Sequence, residues 1–427
     1  MAKKRDKNLK WDKLDNTAQL FPVIAREGMS NVYRVAVVLK EDIDETALQL
    51  ALEKVLPHFD VFKTTLKKGI FWYYFEENER PVPKVTEEAD YPCLFINPHA
   101  NNNYLFRLTY YKNRINLEVF HALTDGNGAL SFLKEITYQY LRLKKPELKG
   151  KVKNSLASET SLDSEDSYLQ NYKKKEKKTY TTRRAVIIKG EKLAPNQLSV
   201  IHGIMPVVDI KDVAKKYGVT INQYIVSAYT WAIYKSYLKG GKSDKPIAVS
   251  VPVNLRPYFG SDTNKNFFVV VTSIFEPKEE NYTFEEVLKI VTKSLEDQIN
   301  KENLEKLFSY NVSNEVNLVL RAIPLFLKRI AIRQVFNASA KANTTTVTNL
   351  GILKTTDPYT DYIERFQATL AMSKGQNIKM TVISFRDTLT LTFSSCVVDS
   401  GIQKAFFRKL TEDGINVTVE TNGVNYE

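Results

Sequence analysis

The sequence predicts an α/β (α+β) protein built from two sandwich domains, and three observations carry that expectation. At 427 residues the chain exceeds what one ordinary core organises, so two units of roughly 200 residues are expected. β-Branched and aromatic segments alternate with amphipathic helical segments in both halves. Between them, residues 144–178 lose apolar periodicity: lysines flank a Ser/Asp/Glu-rich middle, which marks a linker or mobile loop. The boundary is placed near residue 180, giving an N-terminal domain of residues 1–180 and a C-terminal domain of residues 181–427.

In the first half, Val32–Lys40 is β-branched and reads as a strand. Residues 44–56 form a helix with Leu48, Leu52, Val55 and Leu56 on one face and Asp44 as N-cap. Ile70–Glu76, Tyr104–Tyr111 and Ile115–Phe120 read as further strands, and Ala129–Leu143 as an amphipathic helix. In the second half Ala185–Lys189 reads as a short strand. Asp209 is expected to cap a helix that ends at Gly218, a residue suited to the C′ position. Thr220 and Gln223 have capping-box spacing at the start of a helix running to about Leu238. Ile247–Val253, Phe267–Phe275, Met380–Phe385 and Thr388–Phe393 read as strands, the last two joined by a tight turn at Arg386-Asp387. Thr283 and Glu286 open a helix to Asn300, and Asn317–Val335 forms another.

Composition narrows the function classes. Hydrophobic residues at 43% and 23 Tyr with 22 Phe suit large cores that include sheet. The cysteines, Cys93 and Cys396, are far apart, and the four histidines lack metal-ligand spacing, so neither a disulfide framework nor a metal centre is expected. Two buried thiols in a reducing, cytoplasmic setting are the plain reading. Met1–Leu14 is basic without an apolar run behind it, so no signal peptide is expected. No segment reaches the about 18 uncharged apolar residues of a spanning helix. The nearest, Val319–Phe336, is interrupted by Arg321, Pro324, Lys328, Arg329 and Arg333. It reads first as a helix packed on its own domain with a cationic outer face, and it would also suit weak contact with a membrane surface. The net charge of +12 favours anionic partners, but no nucleic-acid-binding signature accompanies it.

The segment with most chemistry is His121-Ala122-Leu123-Thr124-Asp125-Gly126. Side chains alternate along a strand, so Ile115, Leu117 and Val119 share one face and His121 continues that row, while Asn116 and Glu118 point the other way. Asp125-Gly126-Asn127-Gly128 then supplies residues that tolerate positive φ in a turn. Taken alone, this geometry suits either a core histidine or a displayed reactive one. Asp125 would then orient the ring or brace the loop against a distant cation.

The segment resembles the HxxxDG motif of the coenzyme A-dependent acyltransferase superfamily, which includes alcohol acetyltransferases, chloramphenicol acetyltransferase and peptide-synthetase condensation domains. Other segments agree in order. Lys215–Asn222 resembles the helix pair between the domains, Pro252–Pro257 (PVNLRP) the N-L-R-P segment, and Thr348–Gly351 (TNLG) the S-N-L-G segment. The likeness spans nearly the whole chain and is nearest to bacterial alcohol acetyltransferase-like proteins. Phe120 stands where condensation domains carry a first histidine, which points away from peptide synthesis, and no fused carrier domain is expected.

The resemblance implies two chloramphenicol acetyltransferase-like domains meeting in a V with a tunnel at their interface. It implies His121 as the general base that activates a hydroxyl acceptor toward acyl-coenzyme A, the expected co-substrate. Asp125, Gly126 and Arg256 would shape the loop, with Asp125 paired to Arg256 across the interface. Asn254, Thr348, Asn349 and Gly351 would line the tunnel. An amine acceptor, a carrier-bound donor or a non-catalytic relative are the alternatives. A small alcohol or amine as acceptor and a monomeric chain are expected.

Overall fold

A computed structural model describes residues 11–15, 17–148, 167–172, 183–261, 263, 265–316 and 322–424. Most of the stretch read as a linker lies outside these residues. Two large sheets carry the fold. The first runs in the order Ile363–Leu370, Val32–Leu39, Arg114–Phe120, Phe106–Tyr111, Thr86–Glu87. The second has seven strands, ordered Phe268–Phe275, Ile247–Asn254, Thr345–Leu353, Ile378–Phe385, Thr388–Ser395, Ser199–Pro206, Thr418–Thr421. A smaller sheet joins Trp11–Lys13, Tyr73–Glu77 and Thr64–Lys68.

Each large sheet has its own helices and its own core. Helices Glu45–Val55 and Gly126–Lys144 bury Leu48, Leu52, Phe132 and Ile136 with Val35, Val37, Leu117 and Val119 of the first sheet. Helices Ile221–Ala232, Phe284–Glu296 and Gly401–Glu412 bury Tyr229, Val287 and Phe406 with Val249, Met380 and Phe393 of the second. Two sandwiches of mixed α/β layers result. They do not divide cleanly along the chain: Ile363–Leu370 comes from the second half yet pairs antiparallel with Val32–Leu39, from Leu370 opposite Tyr33 to Ile363 opposite Leu39. Tyr359, Phe366 and Phe385 accordingly belong to the first core.

Several expectations needed a different physical reading. Ile70–Trp72 is a turn, because Gly69 N–H closes onto the Trp72 carbonyl at 2.8 Å, and the strand begins only at Tyr73. Ala185–Lys189 forms no strand. Its N–H groups bond to unrelated partners, Lys341 and Pro246 carbonyls and the Tyr237 hydroxyl, rather than to one neighbouring strand. Pro206, not Asp209, caps the helix Val207–Lys216, and Asp209 lies in its first turn, where a carboxylate suits the helix dipole. Of the helix expected over Asn317–Val335, residues 317–321 lie outside the described residues, and Ile323 and Pro324 are not helical. Lys301–Val316 and Leu325–Ser339 are separate helices, and Pro324 caps the second, since proline lacks the N–H an uninterrupted helix would need. Both capping boxes, Thr220/Gln223 and Thr283/Glu286, form.

The polar face of Arg114–Phe120 is buried too. Glu118 lies directly across from Arg34 on one neighbouring strand and Arg107 on the other, and it bonds to both. Burial alone would raise the Glu118 pKa, but the two guanidiniums outweigh it and hold the carboxylate below its ordinary range. Removing Glu118 would leave Arg34 with Glu88 alone, take the carboxylate from Arg107 and strip the buried Cys93 N–H of its acceptor. Glu118→Ala is therefore expected to cost about 3–5 kcal/mol of stability, measured by urea denaturation. A loss below about 1 kcal/mol would show that water reaches this face.

Candidate active site

His121 sits in the turn that ends Arg114–Phe120, its N–H bonded to the Asn31 carbonyl at 2.9 Å. Three aromatic rings hold the half-buried imidazole. Phe21 stacks on it with centroids 4.5 Å apart and planes 14° from parallel, Tyr33 lies tilted at 4.8 Å, and Phe268 reaches it at 5.9 Å. Nδ1 is buried and has no hydrogen-bond partner among the described residues. Burial in this apolar setting lowers the His121 pKa below its ordinary value of 6.5. The ring is thus neutral at pH 7 and free to accept a proton.

Asp125 does not touch the ring. It caps the helix Gly126–Lys144, one oxygen accepting from the Asn127 and Gly128 N–H groups at 3.1 and 3.2 Å. Its other oxygen accepts from Arg256 Nη1 at 2.8 Å and from the Phe267 N–H at 3.2 Å, both in the second half of the chain. Arg256 is fixed in turn by the Thr263 and Lys265 carbonyls at 2.9 and 2.7 Å and by Asn254 Oδ1 at 3.2 Å. From the first-half side, the Tyr33 hydroxyl donates to the Asp125 carbonyl at 2.8 Å.

The Asp125–Gly128 stretch is not a positive-φ turn, since none of these residues has a left-handed backbone. The helix simply begins at Gly126. A Cβ added there would lie 2.6 Å from Leu350 Cδ2, so a side chain at this position would push the end of Leu350 aside. Phe120, in the position of a first histidine, packs into the first core.

A cavity of roughly 120 Å³ opens beside the imidazole, between the two sheets. Its walls include His121, Asp125, Gly126, Arg256, Asn254, Thr348 and Asn349. Of the residues singled out in the sequence only Gly351 is absent from the wall. Its φ of +74° shapes the bend after Asn349, and its N–H bonds to Asn349 Oδ1 at 2.8 Å. Asn349 also donates to Asn222 Oδ1 at 3.2 Å, so its amide is largely engaged. Asn127 and Arg256 are shared with a wider cavity of roughly 580 Å³ that also includes Ser131 and Lys134.

The sequence reading missed the groups that set the ring's environment. Phe21, Tyr33 and the Asn266–Phe268 stretch reach the site from three separate segments, Asn266 Nδ2 donating to the His121 carbonyl at 3.4 Å. Tyr33 alone left a trace, since pairing Val32–Leu39 with Arg114–Phe120 puts it opposite Val119 at the end nearest His121. The stretch taken as a linker also contributes. Tyr168, on the short helix Ser167–Asn171, is buried against Phe267 and donates to the Phe268 carbonyl at 2.5 Å.

No protein-family model matches the chain, and no curated protein matches it in sequence. Solved structures do match. Trichothecene 15-O-acetyltransferase from Fusarium sporotrichioides superposes with a TM-score of 0.59 at 12% identity, over 95% of this chain and 94% of that one. Polyketide synthase associated protein 5 from Mycobacterium tuberculosis gives 0.58 at 12%, over 94% and 97%. The epimerization domain from the third module of tyrocidine synthetase B gives 0.57 at 10%, over 97% and 98%. The fold is theirs. Near-complete coverage on both sides means that the fold is shared end to end.

Two outcomes follow from this geometry. Arg256→Ala leaves Asp125 buried without its cation, and should cost about 3–5 kcal/mol in chemical denaturation. A parent-like transition would remove the pair from its bracing role. Gly126→Ala should cost about 1–3 kcal/mol by overpacking, and Leu350→Ala in the same chain should recover part of that loss. Additive effects would mean that the two sites do not meet.

Proposed function

We propose that the chain transfers an acyl group, in the simplest case acetyl, from acyl-coenzyme A to the hydroxyl of a small acceptor. The observation that carries this reading is the His121 imidazole: neutral, unattached to any carboxylate, and set at an inter-sheet cavity. The match to an acetyltransferase across the whole fold supports the reaction class.

In this reading the acceptor hydroxyl gives its proton to the His121 imidazole as its oxygen attacks the thioester carbonyl. The tetrahedral oxyanion collapses, the carbon–sulfur bond breaks, and the departing thiolate takes the proton back from the imidazolium. No acyl-enzyme is required. The small cavity is suited to the reacting carbonyl, while the wider one beyond Asn127 and Arg256 offers room for a longer substrate. Among the polar wall groups, the Thr348 hydroxyl has no hydrogen-bond partner among the described residues, which suits donation to the oxyanion. Asp125 and Arg256 position the loop and take no proton.

The decisive experiment follows thiol release from acetyl-coenzyme A with a panel of alcohols and amines. His121→Ala should lower kcat/KM by about 10²–10⁴-fold with its melting point kept. Parent-like turnover in that variant would exclude His121 as the base. Because only the neutral ring accepts a proton, activity should rise with pH through the His121 pKa and level off above it. With that pKa lowered by burial, the acidic limb should lie below pH 6.5. A limb centred above that value would contradict an apolar setting for the base.

A further inference from the structure

The helix Leu325–Ser339 uses only part of its circumference to hold the fold. Leu325 is buried, while Ile332 and Phe336 pack against Val23, Ile24 and Met29. The opposite side is apolar and open: Phe326 is 62% exposed, Leu327 46%, Ile330 56% and Val335 69%. At about 100° per residue these four and Ala331 occupy one half of the circumference, which the exposed Gln334 and Asn337 share. The surface continues onto the Gly69–Trp72 turn, where Ile70 is 76% and Phe71 43% exposed. The two elements are joined, since Leu325 N–H bonds to the Ile70 carbonyl at 2.8 Å and Lys328 sits over the Trp72 ring at 3.3 Å.

Charge defines what this surface suits. Lys328 borders the apolar stripe on one side, Arg329 and Arg333 border it on the other, and Lys341 follows. From Leu325 to Lys341 the sequence has no Asp or Glu. A helix with large apolar groups outward and cations along both margins lies in the plane of an anionic lipid interface. Its apolar side chains enter the acyl boundary and its basic ones reach back to headgroups. A symmetric contact with a second copy would instead set cationic margins against each other.

We infer that the chain docks on anionic bilayer surfaces through Leu325–Ser339 and the Ile70–Phe71 turn. The docked helix lies one element from the imidazole. Arg333 Nε bonds to the Val23 carbonyl at 3.0 Å, and Val23 belongs to the helical turn Phe21–Ile24 whose Phe21 stacks on His121. Docking therefore holds the His121 side of the molecule close to the lipid, whatever reaction takes place there.

The test is flotation with vesicles of equal parts phosphatidylglycerol and phosphatidylcholine, beside vesicles of phosphatidylcholine alone. The parent should float with the anionic vesicles, more weakly with the neutral ones, and less as salt is raised. The double variant Phe326→Glu, Ile330→Glu alters only exposed positions and should lose about tenfold or more in partitioning with an unchanged melting point. Val208→Glu, at an exposed apolar residue elsewhere, should float like the parent. Failure of the parent to float, or equal flotation of the double variant, would overturn the inference. A parent dimer that the double variant dissolves without lipid would also overturn it, giving the face to a second copy. Flotation needs no substrate, so its outcome is separate from that of acyl transfer.

Discussion

Asp125 holds three unrelated parts of the chain at one point. One carboxylate oxygen starts the helix Gly126–Lys144; the other takes the Arg256 guanidinium and the Phe267 amide from the second sandwich. Both charges are nearly closed off from water, with side chains 9% and 12% exposed, so neither would be tolerated there alone. Arg256 is already committed to the Thr263 and Lys265 carbonyls, and the pair therefore transmits position as well as offsetting charge. His121, four residues earlier, inherits its place between the sheets from this contact.

That arrangement separates two tasks often joined in one carboxylate. Where an aspartate orients a catalytic histidine, it also raises the ring's basicity. Here the Asp125 oxygens are committed elsewhere, its charge only partly offsets the effect of burial on the ring, and the imidazole is packed against Phe21, Tyr33 and Phe268. An apolar clamp keeps the ring neutral and still lets its basicity be set by burial. The cost is dependence on remote segments, because each of the three rings comes from a different part of the chain.

The legible parts were those encoded over short spans. The alternation of Arg114–Phe120, the capping boxes at Thr220 and Thr283, and the Arg386-Asp387 hairpin depend on neighbours in sequence, and local chemistry suffices to read them. The charged face of Glu118 was harder, because alternation says which way a side chain points but not what covers it. Ile70–Trp72 misled for a different reason: apolar composition alone does not tell a strand from an exposed turn. The ring clamp around His121 was invisible, since no periodicity links Phe21 or Phe268 to it. Gly126 was noticed for the wrong property, conformational freedom, when what it provides is room for Leu350.

The strand Ile363–Leu370 gives the molecule a history as well as a shape. During synthesis Val32–Leu39, buried along its whole length in the finished protein, must wait for more than three hundred further residues before its second neighbour exists. Until then it is an open sheet edge, apolar but for Arg34, the kind of template that recruits strands from other chains. The first sandwich thus cannot be completed as the ribosome delivers it. The same late strand supplies Ala368 and Leu370 to the wall beside His121, so the nascent chain has no finished cavity until nearly all of it has emerged.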